Sequence, residues 1–336
     1  MLVAGDIGGT KTELAIFSGE AGVHAPVAQD RLHSADYPNL QSMVKQFLAK
    51  VDRPVDSACF AVAGPVIHGS VKTTNLPWVV DEPSIAQALN LNTKSVRLIN
   101  DLEAIARAVP ILRPSDVCTI NAGETVAGGA IGVIAPGTGL GESFLTWDGI
   151  RYTAFPSEGG HSDFAPADER QLRLLEYMLK RFDHVSFEHV CSGIGIPHIY
   201  RFLRDVESVP GDAESTRIID SAADPSVPII SKAIDAEHPN KLCGATIDCF
   251  ASILAAEAGN LAVKFLATGG VYIAGGVATH TLPIIKKAAF MQRFKRKGRF
   301  AEFMSRIPLH VVVTPAGLAG AAVCGLERAA RSPVIN

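Results

Sequence analysis

The sequence has few cysteines, and none of them is arranged as a metal or redox motif. Six cysteines occur among 336 residues, and no two of them share the CxxC spacing. Zinc cages and dithiol redox sites depend on such spacing, and disulfide scaffolds need a much higher cysteine density. We therefore expect reduced, buried thiols and no protein-built metal site.

Long apolar runs and an excess of one charge are also missing. No segment offers the roughly 18 consecutive apolar residues of a membrane helix, and the first residues do not resemble a secretory signal. The net charge of −3 gives no global attraction to nucleic acid or to an anionic membrane. A basic cluster at residues 293–299 is most simply interpreted as a solvated surface or a helix end. We expect a cytoplasmic protein that binds neither nucleic acid nor a membrane.

What the sequence does contain is enough apolar material for a large core. Apolar residues make up 47% of the chain and charged residues 19%, and this length suits two domains. Short β-rich runs alternate with helical patterns such as residues 38–51, which predicts an α/β fold. Pro110 and Pro114 indicate a boundary. We expect a small domain at 1–111 plus about 301–336, and a large domain at 112–300.

The first glycine loop lies between two predicted strands at residues 5–12. It is not a Walker A loop, because Thr10 stands where that motif needs glycine before Lys11. Gly8 and Gly9 allow backbone N–H groups to approach an anion closely, and Thr10 adds a hydroxyl donor. Asp6 is positioned to hold Mg²⁺ through water. An ordinary glycine hairpin with a solvated aspartate is the alternative interpretation.

Three further glycine loops follow predicted strands in the rest of the chain. The second, residues 137–141, contains Thr138 and Gly139 and matches the first in type. The third contains Gly275 and Gly276, and the fourth begins at Gly317. Each loop alone is typical of a plain turn. Together they indicate a nucleotide whose phosphates meet two hairpins in a cleft between the two halves of the chain.

A set of motifs in this order resembles bacterial glucokinases, the sugar-kinase branch of the hexokinase, actin and Hsp70 ATPase fold. The resemblance covers nearly the whole chain and implies a two-domain actin-like ATPase fold with an interdomain active-site cleft. Lys11 and Ala316 depart from residues that many members carry there. The motifs are GDIGGTKTELAI at 5–16, AGPV at 63–66, TNLPW at 74–78, LINDLEA at 98–104, GTGLG at 137–141, EGGHSDFAP at 158–166, FEHVCSG at 187–193 and AGGV at 274–277.

The resemblance implies a role for individual residues. It implies ATP and Mg²⁺ as cofactors, glucose as the sugar, a homodimer, and a cleft that closes on the sugar. The residues implied at the sugar are Asn100, Asp101, Glu158, His161 and Glu188, with Asn75 and Gly64 beside them. The resemblance implies phosphate contacts from Gly8, Thr10, Thr138 and Gly139, and adenosine contacts from Gly275, Gly276 and Gly317. Asp6 and Gly9 of the first loop complete the predicted cofactor-binding set.

The chemistry of the acidic residues admits plainer interpretations. Asp101 follows a predicted strand and opens a helix, as an N-cap aspartate does. Beside a phosphate loop it would instead accept the proton of the sugar hydroxyl, with the helix N-terminus stabilising its anion. Glu158 and His161 flank two glycines, which allows both side chains to face one ligand. Glu188 lies near the start of a predicted helix, where acids are also favoured electrostatically.

Four functions remain open from the sequence. The first is transfer of the γ-phosphate of ATP to the 6-hydroxyl of D-glucose, with Asp101 as the base. The second keeps this chemistry on another hexose, such as mannose, an amino sugar or an N-acetyl hexosamine. The third is a sugar-sensing regulator, which would need no Asp101. The fourth is an actin- or Hsp70-like ATPase, which would need neither the EGGH motif nor Glu188. The cysteine-rich zinc motif of the related ROK sugar kinases is absent.

Overall fold

The structure is a computed structural model that describes residues 1–73 and 76–331. Asn75 lies outside the described residues. The chain forms two compact units: unit one is Met1–Leu112 with Thr314–Asn336, and unit two is Arg113–Val313. The predicted α/β class is confirmed, because each unit combines a mixed sheet with packed helices.

Unit one contains a five-stranded sheet in the order β3-β2-β1-β4-β7 and a separate ribbon of β5 and β6. β1 pairs antiparallel with β2 and parallel with β4. Up to its crossing into unit two, its elements are β1 (Leu2–Ile7), β2 (Lys11–Phe17), β3 (Ala28–His33), α1 (Leu40–Val51), β4 (Ser57–Val62), β5 (Ser70–Lys72), β6 (Val79–Asp81), α2 (Glu82–Leu89), β7 (Val96–Asn100) and α3 (Asp101–Ala108).

Unit two contains a six-stranded sheet in the order β11-β10-β9-β12-β13-β8, with β12 parallel to β9 and β13. Its elements are β8 (Val117–Asn121), β9 (Ile131–Pro136), β10 (Leu140–Trp147), β11 (Tyr152–Ser157), α4 (Glu169–Leu179), α5 (Ile196–Asp205), α6 (Ala213–Ser221), α7 (Ser226–Ile234), α8 (Lys241–Phe265), β12 (Gly270–Ile273), α9 (Gly276–His280), α10 (Leu282–Ile285), α11 (Ala288–Lys295), α12 (Ala301–Arg306) and β13 (Leu309–Val312).

The last helix, α13 (Gly317–Arg331), returns the chain to unit one. Its residues Leu318, Ala321 and Ala322 are buried against small apolar side chains of β1 and β4. We expected the return near residue 301, but the chain enters unit one at Thr314. The reason is that β13 pairs with β12 and β8, so the chain stays in the sheet of unit two until that strand ends.

Helix α8 is the centre of the core of unit two. Within the part of the chain that the structure describes, it is the helix whose length and composition would allow it to cross a membrane, and 78% of its apolar window is buried inside the protein. The core helix of a folded domain passes the same test. Asp248 and Glu257 interrupt its apolar sequence, which is why no uninterrupted apolar run is found.

The basic cluster at residues 293–299 is only partly a solvated surface. Arg293 donates to the hydroxyl of Ser252 at 2.9 Å and to the carbonyl of Ala167 at 3.1 Å. Lys297 donates to the carbonyl of Ala256 on α8 at 2.8 Å. The expected helix end is confirmed, because α11 ends at Lys295 and has Arg293 in its last turn. Arg293 and Lys297 also tie neighbouring segments to α8, so these two side chains are not purely solvated.

Candidate active site

The first glycine loop is a tight hairpin turn between antiparallel β1 and β2, as the sequence predicts. The Gly8 N–H donates to the carbonyl of Lys11 at 3.1 Å. A Cβ at Gly8 would lie only 2.5 Å from that carbonyl oxygen, so a larger residue would open the turn. Ser34 braces the turn by donating to the Gly8 carbonyl at 2.7 Å. Thr10 at the tip is exposed and its hydroxyl is accessible to a ligand.

Ser34 is a residue that the sequence analysis missed. Its hydroxyl also lies 3.0 Å from the hydroxyl of Thr12, and its N–H donates to the carbonyl of Thr10. Ser34 directly follows β3, whose alternating polar residues gave no clear strand signal. The brace is thus formed across 26 residues by tertiary structure.

Asp6 lies at the end of β1 in a strongly acidic setting. Burial, together with the negative charges of Asp101 and Glu13, raises the pKa of Asp6 from 3.8 to about 7. The start of α13 lies against it, since a Cβ at Gly317 would sit 2.2 Å from the Oδ2 atom. Only glycine allows this approach. Gly317, which we expected near adenosine, is therefore next to Asp6 in unit one.

Asn100 and Asp101 stand at the junction of β7 and α3. Asn100 is the N-cap: its side chain accepts from the N–H of Leu102 at 2.9 Å and donates to the carbonyl of Gly64 at 3.0 Å. Asp101 is the first helical residue and accepts from the same N–H at 2.9 Å. The interpretation of Asp101 as an N-cap is therefore wrong, because Asn100 fills that position.

The ionisation of Asp101 also differs from expectation. Burial raises the pKa of Asp101, although hydrogen bonds from the N–H groups of Leu102 and of Asp101 itself, and from the Asn100 side chain, oppose the shift. We had expected the helix N-terminus to stabilise the anion and so to keep the pKa of Asp101 low. The desolvation cost wins instead, which makes this carboxylate a stronger base than an exposed aspartate.

The second glycine loop is likewise a hairpin turn, between β9 and β10 of unit two. The Gly137 N–H donates to the carbonyl of Gly139 at 2.9 Å. A segment that precedes α5 holds this turn from outside: the N–H of Gly193 donates to the Gly137 carbonyl at 2.7 Å, and that of Ile194 to the Thr138 carbonyl at 3.2 Å. The predicted hairpin is confirmed.

Glu188 connects this hairpin to the EGGH loop. Its Oε2 atom accepts from the N–H of Leu140 at 2.9 Å, and a Cβ at Gly139 would lie 2.3 Å from that oxygen. Its own N–H donates to the carbonyl of Gly160 at 2.8 Å. We expected Glu188 near the start of a helix. This expectation is wrong, because the next helix, α5, begins only at Ile196.

Glu158, His161 and Glu188 lie close together in unit two. The His161 ring is 3.8 Å from the Glu158 carboxyl and 4.0 Å from that of Glu188. Glu158 is 83% exposed and His161 60%, whereas Glu188 is 21% exposed and held by the backbone. Two accessible polar groups above one anchored carboxylate form a suitable surface for vicinal hydroxyls.

A cavity of about 990 Å³ opens beside the second hairpin, within unit two. Thr138 and Gly276 line one end, and Gly276 has open space on its Cα. Gly275 precedes it with φ of 89°, where a side chain would be strained. Other lining residues, which the sequence analysis missed, include apolar side chains and a few charged or polar ones: Ile194, Pro197, Arg201, Asp224, Val227, Ile230, Ile234 and His280.

Asp6 is the side chain that the sequence predicts for a magnesium ion. In the described ranges 1–73 and 76–331, no three His, Cys, Asp or Glu side chains are grouped as a metal cage. Mg²⁺ in kinases commonly uses one or two carboxylates together with substrate phosphates, so a single acid suffices. A buried carboxyl beside the charges of Asp101 and Glu13 fits a cation, because a cation would offset that repulsion.

Paired glycine hairpins on two α/β units place the protein in the class of actin-like sugar kinases. Comparison with known sequences then shows the family. The chain belongs to the glucokinase family, whose sequence model, described as Glucokinase, matches residues 3–328.

Individual relatives agree with this assignment. The glucokinase of Nostoc punctiforme is 40% identical over 340 residues, covering 96% of this chain and 98% of the relative. The crystal structure of glucokinase from an Antarctic psychrotroph has a TM-score of 0.81 and 30% identity, covering 97% of this chain and 98% of that one. The structure of Balamuthia mandrillaris glucokinase in complex with glucose shares the fold, with a TM-score of 0.77, 21% identity and coverage of 97% and 93%.

Proposed function

We propose that this protein transfers the γ-phosphoryl group of ATP to the 6-hydroxyl of D-glucose, producing ADP and glucose 6-phosphate. The observation that carries the proposal is the buried carboxyl of Asp101, which has a raised pKa and lies in the same acidic setting as Asp6 at the first hairpin. Membership of the glucokinase family supports the same reaction.

The proposed sugar ligands come from both units. In unit one, Asn100 and Asp101 bind sugar hydroxyls, with Gly64 fixing the Asn100 amide through its carbonyl. In unit two, Glu158, His161 and Glu188 supply further acceptors and donors. Asn75 is proposed beside them from the resemblance alone. Buried polar groups reject a sugar without the matching hydroxyl, by factors up to about 10⁴.

Asp101 is the proposed catalytic base. Its carboxylate accepts the proton of the 6-hydroxyl as the oxygen forms its bond to phosphorus and the bond to the ADP oxygen breaks. The raised pKa favours this transfer, because a carboxylate destabilised by burial gains more from protonation. The Leu102 N–H holds the Oδ1 atom, so the carboxyl is oriented before the sugar arrives.

Different residues are proposed to bind the phosphates and the adenosine of the nucleotide. The N–H groups of Gly8 and Gly9 and the Thr10 hydroxyl contact phosphate from one hairpin, and Thr138 and Gly139 from the other. Adenosine contacts Gly275, Gly276 and the apolar cavity beside them, which suits a flat base. Asp6 would hold Mg²⁺, which when bound neutralises phosphate charge in the transition state. Gly317 keeps Asp6 accessible.

A coupled assay tests the proposal. Purified protein is given a panel of hexoses with ATP, ADP or polyphosphate as phosphoryl donor, with and without Mg²⁺. We expect the highest kcat/KM with glucose, ATP and Mg²⁺. Higher kcat/KM with mannose, glucosamine or N-acetylglucosamine would redirect the proposal to that sugar. No phosphoryl transfer to any hexose would overturn it.

We also propose, from the resemblance and the composition, that the protein is a cytoplasmic homodimer. Light scattering after size exclusion tests the assembly, and we expect twice the chain mass of 35.5 kDa. A single-chain mass across the concentration range would contradict the dimer. Cell fractionation tests the location, and recovery of the protein with membranes would contradict it.

A further inference from the structure

One carboxyl group beside the candidate site has no role in the chemistry described so far. Glu142 lies in β10, directly after the second glycine hairpin, and is 2% exposed. Its Oε1 atom is buried and has no hydrogen-bond partner, the only such side-chain atom found among the described residues. Its Oε2 atom lies under the EGGH loop, because a Cβ at Gly159 would sit 2.2 Å from it.

The side of the sheet that carries Glu142 faces α8. Residues two apart on a strand share a face, and Phe144 on that face stacks on Phe265 of α8 with ring centroids 4.0 Å apart. One turn of α8 contributes Glu257, which is fully buried. Burial of the Glu142 carboxyl and the negative charge of Glu257 together raise the pKa of Glu142. When both carboxyl groups are ionised they repel each other and neither can donate a hydrogen bond. When one of them keeps its proton, it donates a strong hydrogen bond to the ionised partner.

The charges around the pair favour one anion over two. Lys264 lies 3.3 Å from the Oε1 atom of Glu257, and Asn260 donates to its Oε2 atom at 2.7 Å. The positive charge of Lys297 also faces Glu257, and the buried thiol of Cys191 faces both acids. One partly exposed lysine in contact can offset one buried charge. A second buried anion would have no cation in contact with it among the described residues, because the Lys297 ammonium donates to the Ala256 carbonyl and to Asn260 instead.

We propose that Glu142 and Glu257 share one proton, and that Glu142 in this neutral pair is a positioning residue for the EGGH loop, residues 158–161. The Gly159 N–H donates to the hydroxyl of Ser157, which is opposite Glu142 in the β10–β11 pairing. The loop thus rests on the Glu142 carboxyl at Gly159 and on the Leu140 carbonyl at Gly160. Loss of the proton leaves two repelling anions beneath the loop.

The consequence is a sugar site that depends on pH. Burial raises the pKa of Glu142 to about 7, with the charge of Glu257 adding to the shift and that of Lys264 opposing it. Below this pH the pair holds its proton and the loop is in place. Above it, repulsion displaces the loop and weakens sugar binding. The link to sugar rests on the proposed function, whereas the link to the loop does not.

Glucose titration calorimetry tests the sugar link with three variants. Glu142→Gln keeps the shape and donates an N–H to Glu257 as the acid does, and Glu257→Gln makes the reciprocal change. Glu302→Gln, an 81% exposed glutamate on α12, is the matched control. Between about pH 6 and about pH 8.5, we expect the glucose Kd of the wild type and the control to rise threefold or more, and that of both pair variants to stay nearly constant.

Hydrogen exchange of the sugar-free protein tests the loop link. After correction for the intrinsic pH dependence of exchange, we expect amides of the loop to lose protection at high pH in the wild type and not in Glu142→Gln. If no variant binds glucose, the proposed function fails while exchange still tests the pair. If wild-type loop protection does not change with pH, or Glu142→Gln keeps the wild-type change, the inference is overturned.

Discussion

At the residue scale, Asp101 is distinguished from an ordinary helix-starting aspartate by its burial. We expect Asp101→Asn to lower kcat by roughly 10²–10⁴-fold, because the amide cannot accept the hydroxyl proton. The amide oxygen can still accept from the Leu102 N–H, so glucose binding should persist. Steady-state kinetics and glucose calorimetry measure the two effects. Full activity with intact glucose binding would exclude Asp101 as the base.

Substitutions of Glu188 and Glu158 should differ in their effect on the KM values for glucose and ATP. Glu188 accepts a hydrogen bond from the Leu140 N–H of the second hairpin. Glu188→Gln should therefore weaken the binding of both glucose and ATP, and raise each KM by about tenfold. Glu158 is 83% exposed and lies beside His161, so Glu158→Gln should raise the KM for glucose alone. Both KM values are measured in the coupled assay. An unchanged KM for ATP in Glu188→Gln would show that the hairpin does not depend on its charge.

At the scale of elements, the EGGH loop depends on close backbone contact with β10. A Cβ at Gly160 would lie 2.0 Å from the Leu140 carbonyl oxygen, which β10 holds in place. We expect Gly160→Ala to lift the loop, raise the KM for glucose tenfold or more and lower the free energy of unfolding by about 1–3 kcal/mol. Urea unfolding and kinetics measure both quantities.

Gly244→Ala is the matched control for that substitution. Gly244 lies within α8 and has open space where a Cβ would be added. We expect this variant to keep wild-type kinetics and to gain about 0.5–1 kcal/mol of stability, because alanine is favoured over glycine in a helix. If Gly160→Ala behaved like Gly244→Ala, the loop would not rest on β10 as tightly as the contact indicates.

At the scale of the whole molecule, buried acids make stability depend on pH. Folding raises the pKa of Asp6 from 3.8 to about 7. Between these values the folded state keeps a proton that the unfolded chain loses, so the free energy of unfolding falls as pH rises and levels off above about pH 7.

Asp6→Asn should remove this dependence from unit one. At about pH 8 we expect the variant to be more stable than the wild type by roughly 2–4 kcal/mol, and near pH 4 the two should converge. The same variant should lose most Mg²⁺-dependent turnover. Urea unfolding at both pH values measures the first effect. A variant less stable than the wild type at about pH 8 would show that the Asp6 carboxyl is not penalised by burial.

The sequence by itself determined the features that depend on neighbouring residues. Two glycine hairpins follow from local glycine patterns, the helices from apolar spacing, and the α/β class from their alternation. The site residues followed from motif resemblance. Strand β3 was not predicted, because its alternating polar residues at the edge of the sheet give no clear strand signal.

Only the tertiary structure decided the features that join distant residues. It made Asn100 the N-cap, placed Gly317 against Asp6, bound the partly exposed Lys297 to α8 and brought Glu142 to Glu257. Sequence spacing cannot give these contacts, because ionisation and burial depend on which side chains meet after folding. A carboxyl group has the same letter in the sequence whether it is solvated or shares its proton in the core.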